Sequence, residues 1–583
     1  MNEFLLSFSS PEYLGKVIAV DTRKVLIDVE SDSLLARTGV GSIVAVKGSS
    51  EQEYLIGMVE RVSRNLEERL GNLPDNEDEI PIELCPEDVV RIVLIGTYRT
   101  VDGSRINVFK RGADSFPQID KKCFVVEGKN LQNFMGLLAA DINEDERLIL
   151  GNFVADKSAA AVIDGDRFFQ RHATILGSTG SGKSWTVALI LERASKLKFP
   201  NIIVLDIHGE YHPLTDKTKG FAEGFRIAGP GDLKEPASNS IFLPYWLLNR
   251  EEMLSMILDR SDMNAPNQAS RLTMHIKDLK EKTLRDNGQI GVLETFTVDS
   301  PIPYNLQELI QLLNEDDTRK GIGSSGKEVK GDWEGKLTRL IARLQGKVDD
   351  RRYGFLFQPP TDALKYNWLA EQVLKLLSQP TGGRGIKIVD FSEVPSDVLP
   401  VVAGTFVRLL YDVQFWMRPE KRTPFTLLCD EAHLYLPVKD DADTVQKQAL
   451  WNFERIAKEG RKYGVSLLVV SQRPSDVSRT ILSQCNNFVV LRLTNEQDQS
   501  VVKRLMPDSM AGMIDVLPLL DIGESLILGD AILLPTRIKF DIPSIPPDSA
   551  TKEFWKEWST KSPDNDAIKE AVETLRRQTR PID

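Results

Sequence analysis

One glycine-rich stretch limits what this chain can fold into more than any other. It begins at Gly177, ends at Ser184 and follows the spacing G-x-x-x-x-G-K-[ST]. Glycines at these positions let the backbone curl until successive N–H groups point at one anion. We therefore predict a phosphate-binding loop whose ligand contacts are Gly177, Ser178, Thr179, Gly180, Ser181, Gly182, Lys183 and Ser184.

The segments beside the loop support this prediction. Residues 173–176 form an apolar run typical of a buried strand, and residues 185–197 have apolar positions at helical spacing. A strand, a glycine loop and a helix in that order direct the helix N-terminus at a phosphate. We expect Lys183 to contact the β- and γ-phosphates of ATP, Ser184 to ligate Mg²⁺, and Trp185 to lie beside the nucleotide.

Two later strands end in residues suited to hydrolysis. The apolar run 425–429 is followed by Asp430 and Glu431, and the run 465–470 is followed closely by Gln472. In a parallel sheet these ends share one edge. We expect Asp430 to ligate Mg²⁺, Glu431 to polarise the attacking water and Gln472 to sense the γ-phosphate. For Asp430 and Glu431 taken alone, a solvated strand end is the alternative.

A third strand, residues 202–205, ends in Asp206 and leads into Glu210. Acidic groups at this position lie where α/β sheets place ligands. His208 and His212 are close in sequence, but their spacing fits no standard metal site. A loop without chemistry is the alternative for the two histidines.

The composition narrows the class of protein. A chain of 583 residues is long enough for more than one domain, and its formal net charge of −12 shows no overall basic field. A ring or channel needs only a local basic lining, so nucleic-acid binding stays open. The four cysteines lack a C-x-x-C pair, and no apolar run reaches membrane-spanning length. We expect a cytoplasmic protein without structural zinc, signal peptide or membrane span.

The first 146 residues are rich in short β-strand patterns. Val- and Ile-rich runs separated by turn residues predict a small barrel, with strands over 13–20, 24–30, 42–46, 54–62 and 89–98. The runs lack interleaved basic and aromatic residues, so we expect this barrel to serve assembly or partner binding rather than oligonucleotide binding. The acidic stretch 65–88 is interpreted as a solvated loop.

From about residue 147 strands alternate with helices, which predicts an α/β core. The strand pattern fades between 249 and 379, where helical spacing predicts an insertion. The predicted divisions are a barrel (1–146), the first part of an ATPase core (147–248), a mainly helical insertion (249–379), the second part of the core (380–545) and a C-terminal tail or inter-subunit brace (546–583). A basic loop at 317–330 is a candidate DNA contact, with a solvated loop as the alternative.

Phosphoryl transfer also requires positive charge against the transition state, often from an arginine of a neighbouring subunit. The candidates are Arg171, which precedes the phosphate loop, and Arg455 and Arg461 on a helix predicted over 444–462. An arginine supplied by a neighbour requires a ring or a dimer.

Five blocks occur in one order along the chain: Arg171 to Ser184, Asp206 to Tyr211, Asp430 to His433, Ala457 to Gly464, and Ser471 to Ser475. Together they resemble the HerA family of hexameric DNA-translocating ATPases, which is related to the FtsK pumps. The resemblance implies a RecA-like core, a six-membered ring around duplex DNA and ATP at the subunit interfaces. It also implies that Arg171 acts near the nucleotide of its own subunit and that Arg461 acts on the neighbour, with Arg455 as the rival.

Members of the family that this chain resembles commonly work with a separate nuclease or effector, in DNA end processing or in antiphage defence. Such partners include NurA-like nucleases and sirtuin-like proteins. The sequence contains no acidic metal cluster of a nuclease and no G-x-G-x-x-G dinucleotide site. We expect any cutting or NAD chemistry to come from another chain.

Two other functions stay open at this point. One is an ATP-binding ring that acts as a scaffold, assembling and activating an effector enzyme with translocation secondary. The other is a protein-remodelling ATPase. Glu431, Gln472 and the candidate arginines favour a working ATPase, because a scaffold does not need them.

Overall fold

The computed structural model describes residues 5–22, 24–30, 32–35, 38–70, 82–103, 105–140, 142–154, 156–322, 328–379, 384–440, 442, 444–506, 508–549 and 552–578. The chain forms two compact units. The first contains Met1–Arg193, Ser471–Ser475 and Cys485–Pro543, and the second contains Ala194–Val470, Asp476–Gln484 and Ser544–Asp583.

Strands and helices alternate along most of the chain. The strands are β1 (Tyr13–Asp21), β2 (Lys24–Val29), β3 (Ile43–Lys47), β4 (Glu53–Leu70), β5 (Ile82–Asp102), β6 (Arg105–Arg111), β7 (Lys122–Val125), β8 (Arg147–Phe153), β9 (Ala160–Asp164), β10 (Ala173–Leu176), β11 (Ile202–Asp206), β12 (Ala222–Ile227), β13 (Ser240–Ile241), β14 (Gly321–Ile322), β15 (Glu328–Val329), β16 (Ile386–Asp390), β17 (Phe425–Cys429), β18 (Val465–Ser471), β19 (Asn487–Val490), β20 (Glu524–Gly529) and β21 (Thr536–Phe540). The helices are α1 (Asp32–Leu35), α2 (Gly128–Ala139), α3 (Gly165–Gln170), α4 (Lys183–Ser195), α5 (Arg250–Ile257), α6 (Ala265–Asp286), α7 (Ile290–Leu293), α8 (Leu306–Thr318), α9 (Thr338–Asp349), α10 (Gly354–Phe357), α11 (Trp368–Leu377), α12 (Leu399–Trp416), α13 (Thr444–Glu459), α14 (Arg479–Gln484), α15 (Glu496–Leu505), α16 (Phe554–Thr560) and α17 (Asn565–Arg577).

Six strands of the first unit close into an antiparallel barrel. Neighbours pair in the order β2-β1-β7-β3-β4-β5, β5 pairs with β2 to close the ring, and β6 extends the sheet beyond β5. Buried aliphatic side chains fill the barrel, among them Val17, Ile27, Val44, Val59 and Ile92. Closure pairs the backbone groups that an open sheet would leave at its edges. The prediction of a small N-terminal barrel is confirmed.

The rest of the first unit carries the phosphate loop. Its strands follow the order β10-β19-β20-β21-β8-β9, in which β10 runs parallel to β19 and the other neighbours are antiparallel. β10 is buried at every position, as its short apolar sequence requires. Its carboxyl end leads directly into the loop, and α4 begins at Lys183.

The second unit contains a parallel sheet in the order β13-β12-β16-β11-β17-β18. β11, β17 and β18 are buried at every position, as expected for strands covered on both faces. Helix α12 packs closely against α13, because Gly404 has no side chain. A Cβ at Gly404 would lie 2.8 Å from the Ala449 Cα. The predicted α/β class is confirmed.

Helices α5 to α11 lie within the predicted helical insertion. Helix α5 begins with a capping box, in which the side chains of Asn249 and Glu252 each accept a hydrogen bond from the other's backbone N–H. The buried Glu252 carboxylate also accepts two hydrogen bonds from Arg408, both 2.8 Å long, which fastens α5 to α12. The boundaries at 146, 248, 379 and 545 remain predictions. No helix in the described ranges is long and apolar enough to cross a membrane.

The structure corrects the predicted helix over 444–462. Helix α13 ends earlier, and Gly460–Tyr463 forms a 3-10 turn. A Cβ at Gly460 would lie 2.6 Å from the Val465 carbonyl oxygen, and Gly464 has a φ of +74°. These glycines let the chain turn tightly into β18. Arg461 therefore lies in the turn and not on the helix.

The predicted acidic loop over 65–88 is wrong at both ends. Strands β4 and β5 stay paired as far as Leu70 and Ile82, so residues 65–70 and 82–88 form strands and not a loop. The acidic residues 75–79 lie outside the described residues. So do residues 323–327 of the predicted basic loop, whose flanks form the end of α8 and the short pair β14–β15.

Candidate active site

The phosphate loop has the backbone that its glycines predict. Gly180 and Gly182 have φ values of +73° and +103°, in the region that favours glycine. A Cβ at Gly177 would lie 2.5 Å from the Ser181 Oγ, so this position also requires glycine. The Ser181 hydroxyl is buried and has no hydrogen-bond partner among the described residues. The loop is wound in the way that presents backbone N–H groups to an anion.

Neighbouring backbone holds the loop in place. The N–H of Gly177 donates to the Ser471 carbonyl at 3.3 Å, and the N–H of Ser178 donates to the Arg492 carbonyl at 2.8 Å. Lys183 is buried, and its Nζ donates to the Ser178 carbonyl oxygen at 3.4 Å. The Lys183 ammonium group thus lies at the loop where it is expected to bind phosphate.

Gln472 lies directly at this loop. Its Oε1 accepts a 2.7 Å hydrogen bond from the Thr179 Oγ1. The contact brings the expected γ-phosphate sensor to the phosphate loop within the first unit. Sequence spacing predicts the positions of both residues but not their pairing.

The other predicted nucleotide contacts lie at the start of α4. Ser184 is partly buried, whereas Trp185 leaves 41% of its surface exposed. Nucleotide contacts of both residues remain predictions.

Arg171 is engaged within its own unit. Its guanidinium forms an ion pair with Asp530, and the Asn486 Nδ2 donates to the same carboxylate at 3.0 Å. Burial opposes the charged form of Asp530, but the hydrogen bonds from Arg171 and Asn486 outweigh it and lower the pKa of this carboxyl. The structure therefore shows a stabilising role for Arg171, and its role at the nucleotide remains a prediction.

The second unit carries Asp430 and Glu431 directly after β17. Burial raises the pKa of Asp430 well above its ordinary value, and the Glu431, Asp206 and Glu210 carboxylates add to the shift. Glu431 has a φ of +43°, in the left-handed region that residues other than glycine rarely adopt. Its Oε2 lies 3.2 Å from the Nδ1 of His433. Strained backbone of this kind clusters at functional sites.

Asp206 shapes the loop that follows it. Its carboxylate accepts hydrogen bonds from the N–H groups of Gly209, Glu210 and Tyr211, at 2.9, 3.0 and 3.0 Å. Burial raises the pKa of Asp206 to about 7 even with these donors, and the Asp390 carboxylate contributes to the rise. Sequence reasoning placed Asp206 at a strand end but missed this capping role.

The two arginine candidates of the second unit differ in their surroundings. Arg455 lies 3.4 Å from Asp412, and its guanidinium lies 4.9 Å from the Tyr411 ring and 5.3 Å from the Phe415 ring. Arg461 is exposed, and its side chain forms no hydrogen bond or ion pair within the described part of the chain. Arg461 can therefore contact a second molecule, whereas Arg455 is held by contacts within its own chain.

Comparison with known proteins assigns the family. The family model described as "Helicase HerA, central domain" matches residues 148–410. A probable DNA double-strand break repair helicase HerA of Methanocaldococcus jannaschii is 37% identical over 422 residues, covering 68% of this chain and 76% of that protein. The chain belongs to the HerA family. A probable helicase of the same organism is 26% identical over 506 residues, covering 85% of each of the two chains.

A solved structure is also similar to this HerA protein. VirB4 of Thermoanaerobacter pseudethanolicus has 18% identity and a TM-score of 0.45, and the match covers 69% of this chain and 97% of that one.

As a HerA protein, the chain is a P-loop ATPase, and its residues fit ATP and Mg²⁺. The wound glycines and the buried Lys183 fit a triphosphate. Burial and neighbouring carboxylates disfavour the charge of Asp430, a penalty that a bound divalent cation removes. Among the described residues, no group of three or more His, Cys, Asp or Glu side chains could hold a metal ion. Mg²⁺ needs no such cage, because it binds through one or two protein ligands together with phosphates and water.

Proposed function

We propose that this chain is a DNA-translocating helicase motor that hydrolyses ATP as a homohexameric ring on duplex DNA. The observation that carries the proposal is the exposed Arg461, whose side chain forms no hydrogen bond or ion pair with the described residues of its own chain. An available arginine in a chain with a formed phosphate loop supports an ATP site completed by the next subunit. Relatives named as DNA double-strand break repair helicases support DNA as the track.

Each site residue has a proposed part in hydrolysis. The N–H groups of residues 177–182 and the Lys183 ammonium bind the phosphates. Ser184 and Asp430 hold Mg²⁺, which neutralises phosphate charge when bound. Glu431 accepts a hydrogen bond from the attacking water and orients it.

Two further side chains act on the γ-phosphate in this proposal. Gln472 exchanges its hydrogen bond with Thr179 for one with the γ-phosphate. Arg171 assists within the same subunit.

Arg461 is the proposed arginine of the neighbouring site. To act on a neighbouring subunit, the Arg455 side chain would have to give up its contacts with Asp412 and with the rings of Tyr411 and Phe415. Arg461 can reach a neighbouring subunit without breaking a hydrogen bond or ion pair of its side chain among the described residues, and in this proposal its charge stabilises the transition state at the neighbouring site.

The C-terminal helices support assembly into a ring. Helices α16 and α17 bury none of their residues. Along α17 the exposed Ile568, Val572 and Leu575 repeat at helical spacing and form one apolar stripe. An exposed stripe of this kind marks contact with another protein. We propose that the segment 546–583 braces a neighbouring subunit, and that the barrel of residues 1–146 also serves assembly or partner binding.

We also propose a separate nuclease or sirtuin-like effector as partner, in DNA end processing or antiphage defence. In this proposal the partner chain carries out any cutting of DNA or NAD chemistry. The proposed location is the cytoplasm, and the buried free thiols of Cys123, Cys429 and Cys485 agree with a reducing compartment. Incubation of the purified chain with DNA and Mg²⁺ or Mn²⁺ should leave the DNA intact. Degradation at a rate unchanged by Lys183→Ala would contradict this division of labour between chains.

ATP hydrolysis by the purified chain, measured with and without duplex DNA, tests the motor. We expect DNA to stimulate hydrolysis, and Lys183→Ala or Glu431→Gln to reduce the rate at least about a hundredfold. Lys198→Ala, which changes an exposed lysine just after α4, is the matched control and should behave as wild type. A Glu431→Gln chain that still activates its partner would support the scaffold function instead.

A further inference from the structure

The segment that follows Asp430 and Glu431 is connected to α13 by hydrogen bonds and buried side chains. The Tyr435 hydroxyl donates to the Asp430 carbonyl oxygen at 3.0 Å. The Tyr435 ring packs against Phe453 of α13, with ring centroids 5.6 Å apart, and both side chains are completely buried. Because buried aromatic contacts of this kind deform little, a shift at Asp430 is passed to α13.

Ser478 makes a second connection between the same elements. Its N–H donates to the Leu436 carbonyl at 2.8 Å, and its hydroxyl donates to the Glu454 Oε1 at 3.2 Å. Ser478 and Glu454 are 2% and 8% exposed, so water and salt screen this charge-assisted bond little. A β-bridge between Pro437 and Val477 holds the two segments together beside it.

Glu454 lies on the helix that leads to Arg461. It is adjacent to Phe453, so both connections reach α13 at one point. Helix α13 ends at Glu459, and Arg461 lies in the 3-10 turn Gly460–Tyr463 directly after it. A shift or rotation of α13 therefore moves the turn that carries Arg461.

We propose that Ser478 and Glu454 are positioning residues that couple the nucleotide site of one subunit to the arginine that it presents to the next. When the segment 430–436 responds to nucleotide, Ser478 and Tyr435 carry the displacement to α13. Arg461 then moves relative to the neighbour's γ-phosphate, which lets one site regulate hydrolysis at the next. This inference rests on the proposed function, because it requires a ring in which Arg461 acts on another subunit.

Substitutions at Ser478 separate positioning from binding. Ser478→Ala should bind a non-hydrolysable ATP analogue with unchanged Kd, and its kcat should fall about tenfold, the effect of one lost charge-assisted hydrogen bond. Its ATP dependence should also lose cooperativity.

Ser478→Thr keeps a hydroxyl and should retain most of the rate. Ser483→Ala, at an exposed serine of α14, is the matched control. Glu454→Asp shortens the side chain that accepts the hydrogen bond, and it should likewise lower kcat without changing Kd. This second variant keeps the test decisive if Ser478→Ala folds poorly.

Mixed rings locate the defect. Ser478→Ala subunits are combined with Glu431→Gln subunits, which retain the phosphate loop and Arg461 but do not hydrolyse ATP. All hydrolysis then comes from Ser478→Ala subunits, many of which receive a normally positioned arginine. The same mixture made with Arg461→Ala subunits is the reference.

Recovery of the rate per active subunit in both mixtures supports the coupling. Recovery with Arg461→Ala but not with Ser478→Ala overturns it, because the defect then lies in the variant's own site. A Ser478→Ala ring that hydrolyses ATP at the wild-type rate also overturns it. If Arg461→Ala does not recover in verified mixed rings, the proposed arrangement of subunits is wrong and the coupling is wrong with it.

Discussion

Thr179 donates a 2.7 Å hydrogen bond to the Oε1 of Gln472, although the two residues are 293 positions apart in the chain. One belongs to the phosphate loop and the other follows the last strand of the parallel sheet. The glutamine is thus already at the loop and can exchange one hydrogen-bond partner for another. The role of Gln472 as a γ-phosphate sensor can therefore be tested by substituting Gln472 and Thr179 separately.

We predict that Gln472→Ala lowers kcat about a hundredfold and leaves ATP affinity within about twofold. Alanine cannot orient the γ-phosphate or the water, whereas the loop N–H groups and Lys183 still bind the nucleotide. Steady-state hydrolysis and equilibrium binding of an ATP analogue measure the two effects. Thr179→Val removes only the present partner and should retain most of kcat. Wild-type turnover by Gln472→Ala would refute the sensor role.

Substitution of Arg461 should affect hydrolysis, whereas substitution of Arg455 should affect stability. Arg461→Ala should lower kcat about a thousandfold without changing thermal stability, because its side chain has no partner among the described residues. Arg455→Ala should instead lower the free energy of unfolding by about 1–2 kcal/mol, because it loses its contacts with the aromatic rings and Asp412. Hydrolysis and denaturant unfolding of each variant check both expectations. The reverse pattern would assign the transferred arginine to Arg455.

The buried pair between Arg408 and Glu252 should be a major support of the helical segment. Arg408→Met leaves the Glu252 carboxylate buried without its cation and should lower the free energy of unfolding by about 3–5 kcal/mol. Arg343→Met breaks an exposed pair with Asp259 and should change it by less than about 1 kcal/mol. Urea unfolding distinguishes the two. Equal effects would show that burial of the pair does not matter.

Lys280 should make stability depend on pH. Burial lowers the pKa of Lys280 from 10.5 to about 7, although its ammonium donates to the Val298 and Ser300 carbonyls at 2.7 Å each. Between these two values the unfolded chain binds more protons than the folded chain. The contribution of Lys280 to stability is therefore full above the unfolded pKa and is lost as the pH falls towards the folded pKa.

Unfolding measured at neutral and alkaline pH tests this dependence. Lys280→Met should reduce the gain in stability between the two conditions, because it removes the titrating group. Lys277→Met, at an exposed lysine of the same helix, should keep the wild-type gain. Equal gains in wild type and Lys280→Met would contradict the assigned cause.

Much of the site could be predicted because its signals are local. The glycines of the phosphate loop encode its backbone, and an apolar run followed by Asp430 and Glu431 marks the end of a buried strand. The contacts of Thr179 with Gln472 and of Ser478 with Glu454 could not be predicted, because each joins residues that lie far apart in sequence or in separate elements.

The prediction of element ends failed where three-dimensional crowding decides them. Helical spacing continues through Gly460, and only the nearby Val465 carbonyl shows why the chain turns there. Strand β6, which extends the sheet beyond the barrel, was missed because none of its residues is buried. An apolar pattern predicts which residues become buried, but a strand that extends the sheet outside the barrel needs no such pattern.

Displacement of streptavidin from the end of a biotinylated duplex most directly tests whether hydrolysis drives movement along DNA. The wild-type chain should displace streptavidin with ATP and Mg²⁺, and should not do so with a non-hydrolysable analogue. Lys183→Ala and Glu431→Gln should both be inactive. DNA-stimulated hydrolysis without displacement, or displacement that persists in Lys183→Ala, would contradict a translocating motor.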